Sequence, residues 1–347
     1  MDGKRKATVA GAVAAVLLAG IGVATLGRGP ETRIETRPNA GPTAGVPSAD
    51  ASLQPGTPAD AVVISPKRGV VALLDTSTGS TVRVLAEHPP AQPDGSRMLQ
   101  GVSLAPDRRT AYYAVSDGCE GGTLHRVAVD GRRRATLIGA GVSPSVSPDG
   151  RRLAYAAPGP RTPEGLPGCP NVVVVRDLGS GEERRWRFPD DEAHRSALYT
   201  EGAITKIAWA PDSRRLAFTL SYEGESVSVL DTDAAHDLAE TVEVVVPGGG
   251  GDSRQPTWQS STGRLAVVNS AFECCYEDDY EGPPRTLLVD VDARTATDLL
   301  RPGLRPAWLD FDDTGDHLLY VDGGTLYRKS GSSDPVLVAP GFSAADW

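Results

Sequence analysis

From residue 58 onward the chain alternates short apolar runs with turn residues, and these runs fall into a degenerate repeat. A large apolar residue is followed, after a tight turn, by another nine positions on: Leu104 and Tyr113, Val146 and Tyr155, Trp209 and Phe218, Trp258 and Val267. Trp308 and Tyr320 give the same pairing with a short insertion, and Trp347 holds the first position again. The unit is plainest from Pro144 to Arg187. Val146 closes a strand, and Ser147-Pro148-Asp149-Gly150 has the chemistry of a type I turn, with proline's φ preset at i+1 and glycine at i+3. Leu153–Ala156, Asn171–Asp177 and Glu183–Phe188 supply three further strands. The four valines in a row at 172–175 predict burial on both faces. Repeats of this size, each of four short strands, predict an all-β propeller.

The ends of the repeat set the number of blades. Ala61–Ser65, Val70–Asp75 and Thr81–Leu85 read as three strands with no preceding inner strand. Residues 342–347 read as an inner strand with no blade of their own. Pairing the C-terminal strand with the N-terminal blade predicts a six-bladed ring and removes an exposed sheet edge. Trp209, Trp258, Trp308 and Trp347 are then structural core, packed between blades. The paired arginines at the short turns (Arg108-Arg109, Arg151-Arg152, Arg214-Arg215) read as solvated.

The order of a hydrophobic-Ser-Pro-Asp-Gly turn, an Ile/Leu-Ala-Phe/Tyr strand and a strand ending in aspartate (Asp75, Asp130, Asp177, Asp231, Asp290) resembles the TolB-type, WD-repeat-like six-bladed β-propeller. The resemblance covers about residues 58 to 347 and lacks the α/β domain that precedes the propeller in TolB-type proteins. It implies protein–protein contacts in the bacterial cell envelope.

The N-terminal part reads differently. Lys4, Arg5 and Lys6 precede an uncharged run over residues 7–27. As a helix rising ~1.5 Å per residue, that run spans the roughly 30 Å of a bilayer core. Residues 1–6 are expected to be cytoplasmic, 7–27 a single-pass transmembrane signal anchor, and everything beyond extracytoplasmic. The alternative is secretion after signal-peptide cleavage. Residues 28–57, rich in Pro, Gly, Ala and Thr, predict a disordered stalk. The net charge of −10 argues against nucleic acid as a partner. A monomer is expected.

In a propeller of this order the long connections share one face: His88–Arg97, Pro158–Pro170, Pro189–Glu201, Pro247–Ser253 and Ala271–Pro284. Binding residues concentrate on such loops. All four cysteines lie in second-to-third connections on this face. Cys119 and Cys169 fall in adjacent blades and suit an inter-blade disulfide, while Cys274 and Cys275 lie across the ring and form a vicinal disulfide or a free thiol pair. The loop residues Glu273, Tyr276, Glu277, Asp278, Asp279 and Tyr280 combine aromatic anchors with carboxylates and are the main candidates for partner recognition. Their carboxylates would also suit calcium, without EF-hand spacing; no other cofactor or metal is implied. Lys206, Arg254 and Arg305, near the starts of inner strands, predict a basic channel mouth.

No Gly-x-Ser-x-Gly elbow, phosphate loop or His-Glu-x-x-His is present. The sequence therefore reads as a membrane-anchored binding or scaffold module rather than an enzyme. The alternatives are a six-bladed propeller hydrolase (a lactonase or a glycan-active enzyme), or a ligand- or metal-binding sensor that uses the loop-rich face.

Overall fold

The structure is a computed structural model and describes residues 60–90, 98–116, 121–159, 168–189, 202–221, 224–247, 251–270 and 282–347. Its 24 strands form six four-stranded antiparallel sheets. Five sheets use consecutive strands: β4 (Met98–Leu104), β5 (Thr110–Ser116), β6 (Gly122–Ala128) and β7 (Thr136–Ala140); β8 (Val142–Val146), β9 (Arg152–Pro158), β10 (Pro170–Asp177) and β11 (Glu183–Trp186); β12 (Ala203–Trp209), β13 (Arg215–Ser221), β14 (Glu225–Asp231) and β15 (Val242–Glu243); β16 (Asp252–Gln259), β17 (Arg264–Ser270), β18 (Arg285–Asp290) and β19 (Thr295–Asp298); and β20 (Trp308–Phe311), β21 (His317–Asp322), β22 (Thr325–Ser330) and β23 (Val336–Pro340). The sixth runs in the order β24 (Ala344–Asp346), β1 (Ala61–Ser65), β2 (Val70–Asp75) and β3 (Ser80–Glu87), and β24 pairs with β1 through Val62↔Asp346, Val63↔Ala345 and Ile64↔Ala344. This is an all-β six-bladed propeller. We number the blades 1 to 6 from the β1 sheet.

The burial of each strand follows its place in the blade. Second strands such as β9 (Arg152–Pro158) and β13 (Arg215–Ser221) are buried almost throughout. β10 (Pro170–Asp177) carries the valine run and is buried on both faces. Outer strands β11 (Glu183–Trp186), β15 (Val242–Glu243), β19 (Thr295–Asp298) and β23 (Val336–Pro340) are mostly exposed. The aspartates that end the third strands are turn caps. The Oδ1 of Asp177 accepts from the amides of Gly179 (2.9 Å) and Ser180 (2.7 Å), and Asp75 and Asp231 accept from the amides two residues on. Each carboxylate satisfies amides that the turn would leave unpaired.

The register places one repeat position differently from the sequence reading. The inner-strand residue before each first turn pairs with a residue seven further on: Leu104↔Ala111, Val146↔Leu153, Trp209↔Leu216 and Trp258↔Leu265. In blade 6 the residue obeying this rule is Phe311, paired with Leu318; Trp308 pairs with Val321, one turn of the pattern earlier. Phe311 and Tyr320 are nine apart, so blade 6 carries no insertion. Trp308 is core nonetheless: it is 8% exposed, with Trp209 at 6%, Trp258 at 5% and Trp347 at 6%. A single apolar cluster joins Trp308, Phe342 and Trp347 to Tyr113 and Ile64, spanning blades 6, 1 and 2.

The turn arginines are not all solvated. Arg152 of blade 3 lies 4.9 Å from the ring centroid of Trp209 in blade 4, and Arg215 of blade 4 lies 5.2 Å from that of Trp258 in blade 5. Each guanidinium caps the tryptophan of the next blade. Arg152 also donates to the carbonyl of Ser213, and Arg108 to that of Asp60. Arg109, Arg151 and Arg214 keep to the surface, the last paired with Asp231 at 2.6 Å. Arg152→Ala and Arg215→Ala should each cost about 1–2 kcal/mol, through lost stacking and lost cover of the indole. Thermal melts check this, and Arg→Lys should recover only part of the loss, because an ammonium lacks the flat face that stacks.

Among the described residues no helix is long and apolar enough to cross a membrane. The expected anchor (7–27) and stalk (28–57) lie outside those residues.

Candidate functional site

The inner strands line a central cavity of about 470 Å³ that opens among the short first-to-second turns, beside Pro106, Pro148 and Pro211. Strand pleating decides what faces it. The residue just before the conserved apolar position of each repeat points to the axis, which gives Ser103, Ser145, Ala208, Thr257, Asp310 and Asp346 in blades 2, 3, 4, 5, 6 and 1. Four of the six blades thus offer small or hydroxylated side chains. Adjacent blades 6 and 1 offer two carboxyls.

Asp310 and Asp346 are half-buried, line the cavity and lie within hydrogen-bonding reach of each other. Their outer oxygens are tied to the next blade in the same way. Trp347 N–H donates to Oδ2 of Asp310 (3.3 Å), and Leu104 N–H donates to Oδ2 of Asp346 (3.0 Å). Val146 N–H continues the series onto Oγ of Ser103 at 2.9 Å. Thr257 donates to Oδ1 of Asp310 at 3.4 Å. Lys206 enters from blade 4, buried, with its ammonium 3.8 Å from the centroid of the Trp308 ring and donating to the carbonyl of Leu309. No ion pair joins it to either carboxyl among the described residues.

Burial sets the ionisation of this cluster. It pushes the Asp346 carboxyl up to about 6, against the hydrogen bonds from Asp310 and Leu104 that favour its charged form. Asp310 is raised well above the carboxylate range by burial and then by the neighbouring Asp346 charge. Lys206 is pushed down to about 8 by burial, while both aspartates pull it upward. Two carboxyls this close hold one proton between them near neutral pH. Groups perturbed by burial and by named partners inside a cavity make it the candidate site.

The three cations expected at the opposite mouth do not converge. Lys206 lies inside the cavity. Arg254 pairs with Glu225 of the preceding blade at 3.1 Å, and Arg305 donates to Oγ of Ser270, also in the preceding blade, at 3.2 Å. Both arginines tie neighbouring blades together. Cys169 is buried and disulfide-bonded. Cys119, Cys274, Cys275 and the recognition candidates Glu273, Tyr276, Glu277, Asp278, Asp279 and Tyr280 lie outside the described residues, and so does the calcium reading built on them.

A second cluster sits in the seam between blades 1 and 2. His88 Nε2 and the Tyr113 hydroxyl are 2.8 Å apart, and His125 stacks on Tyr113 with ring centroids 5.1 Å apart. The two imidazoles are 5.4 Å apart, centroid to centroid. Burial, and then the neighbouring His88, hold His125 below its ordinary value. Its protonated form is therefore disfavoured in the fold. Stability should be whole above about pH 6.5 and should fall on acidification through the histidine range. Urea titrations at about pH 7.5 and about pH 5.5 check this, and His125→Phe should flatten the difference.

No protein-family model matches the chain, and no curated protein matches it. Solved structures do. TolB from Acinetobacter baumannii superposes with a TM-score of 0.57 at 14% identity over 83% of this chain, which spans 65% of that TolB chain. A putative TolB from Agrobacterium tumefaciens gives 0.53 at 12% identity, covering 78% of this chain and 89% of that one. A nidogen/laminin complex gives 0.54 at 10% identity, covering 83% of this chain and 98% of that one. The fold is that of a TolB-like six-bladed propeller.

Proposed function

We propose that this chain is an extracytoplasmic binding module of the cell envelope, held at the membrane by residues 7–27 and the linker 28–57, whose propeller (58–347) engages a protein or peptide partner. The observation that carries this reading is the central cavity. It is concave, preformed by a closed ring, and floored by an ionisable cluster that costs folding free energy. A likeness to TolB structures over most of the chain supports the envelope setting. Cys119–Cys169 is the disulfide we assign across blades 2 and 3. Gly121, two residues from Cys119, packs against Pro158, and the amide of Gly159, next to Pro158, donates to the carbonyl of Cys169 at 3.0 Å. The loop 273–281 supplies a second contact surface.

Crosslinking and affinity capture of the full chain from native membranes tests the reading. Wild type is compared with a variant whose 273–281 loop is replaced by Gly-Ser, and with Asp310→Asn/Asp346→Asn. Loss of a shared partner in either variant supports it. The same partners captured by all three would sink it.

One observation favours a second reading, a propeller hydrolase: two carboxyls converge at one wall of the cavity, as general acid–base chemistry requires. A substrate screen on the purified chain separates the two readings. Turnover abolished by Asp310→Asn and by Asp346→Asn singly would favour the enzyme.

A further inference from the structure

The cavity floor is built on two adjacent carboxyls. Asp310 accepts from the Trp347 amide at 3.3 Å and the Thr257 hydroxyl at 3.4 Å, Asp346 accepts from the Leu104 amide at 3.0 Å and from the Ser103 hydroxyl, and both carboxyls line the cavity beside each other. The ammonium of Lys206 donates to the Leu309 carbonyl and lies over the face of Trp308, without an ion pair to either carboxyl among the described residues. Asp312 and Asp313 line the cavity at its turn end, with Arg108 as the cation there. Trp308 lines the cavity as well, with its ring face under the Lys206 ammonium. Resting on the reading of this cavity as the binding site, we infer that it takes an alkylammonium or guanidinium group, entering from the short-turn face, and that this group takes the place of the proton shared by Asp310 and Asp346.

Two arguments converge on that ligand chemistry. A donor-rich cation suits a floor made of carboxylate acceptors. Charge balance sets the stoichiometry: the cluster already holds one mobile positive charge as a proton, so a ligand that brings its own charge must displace it. Binding should therefore release close to one proton and tighten as pH rises through the range where that proton is held, by up to about tenfold per unit. Asp310 on β20 and Asp346 on β24 carry the exchange. Lys206 on β12, with Arg108, Asp312 and Asp313 at the mouth, sets the background field.

The cation is carried either by a Lys or Arg side chain of the partner or by a free amine; the chemistry is the same. The test is calorimetric titration of the full-length protein with agmatine and with n-butylamine, against n-butanol as the neutral control. Titrations in buffers of different ionisation enthalpy count the protons released. The expected result is binding of both amines but not the alcohol, near-unit proton release, and at least a tenfold loss in Asp346→Asn. If that variant fails to fold, the proton count on wild type stands alone as the test. Equal binding of the alcohol, amine binding without proton release, no amine binding, or displacement of agmatine by calcium at lower concentration would each overturn the inference. Competition by agmatine against the captured partner assigns the cation to a partner side chain; agmatine binding without competition assigns it to a free amine. A protein that captures a partner but binds no amine overturns this inference alone. One that binds amine but captures no partner overturns the interaction reading alone.

Discussion

Deleting residues 342–347 is expected to unfold the propeller at physiological temperature or to lower its melting temperature by more than about 10–20 °C. The segment supplies the inner strand of blade 1, through Val62↔Asp346, Val63↔Ala345 and Ile64↔Ala344. It also buries Phe342 and Trp347 in the cluster that joins blades 6, 1 and 2. Losing a buried Phe or Trp side chain costs roughly 3–5 kcal/mol each, and the two together rival the roughly 5–15 kcal/mol that holds a whole domain folded. The deletion further strips partners from groups left behind. The Trp308 indole loses the Ala345 carbonyl (2.7 Å), the Leu104 amide loses Asp346, and the Ile64 carbonyl loses the Ser343 amide (3.0 Å). Trp347→Ala alone should cost about 3–5 kcal/mol. Circular dichroism melts of wild type, Trp347→Ala and the deletion should fall in that order, and an unchanged melt for the deletion would remove the C-terminal strand from the ring.

The repeat was legible because its turn chemistry and its large apolar positions are local. Pro148-Asp149-Gly150 and Val146 lie within a few residues of each other, and strand pleating does the rest. The cluster at the axis was not legible, and the reason is one misplaced register. Trp308 is the conspicuous aromatic of blade 6, yet Phe311 holds the position before the turn. With Trp308 in that place, Ala307 would face the axis, and Asp310 falls out of line with Asp346. With Phe311 there, the two aspartates occupy the same position in neighbouring blades, and their meeting follows from the pleat. The turn arginines show a different limit. Arg152 and Arg215 sit beside exposed turns, and nothing local announces that the next blade brings Trp209 and Trp258 beneath them. The sequence also directs attention to the long loops, whereas the cavity opens among the short turns. Most of those long connections lie outside the described residues.

Lys206→Met should destabilise the wild-type protein by about 3 kcal/mol near neutral pH, yet stabilise a background already carrying Asp310→Asn and Asp346→Asn. In wild type the ammonium offsets the carboxylate of Asp346, which is mostly ionised at neutral pH because burial raises it only to about 6. Removing one partner of a buried charged set typically costs about 3–5 kcal/mol; the lower end applies because Asp346 can escape by taking a proton. The sign with pH follows. A carboxyl raised in the fold is disfavoured in its ionised form, so the variant's deficit should grow as pH rises from about 5 to about 7 and shrink on acidification. With both aspartates amidated, the ammonium itself is the uncompensated buried charge, already pushed down to about 8 with its partners present. Methionine then removes a desolvation penalty and keeps the contact with Trp308. A sign reversal between backgrounds, read by urea denaturation near pH 7, would show that the cluster is held together by mutual charge and set against the fold. An equal cost in both backgrounds would instead make Lys206 a packing residue, and the cavity would lose the electrostatic character on which its reading as a binding site depends.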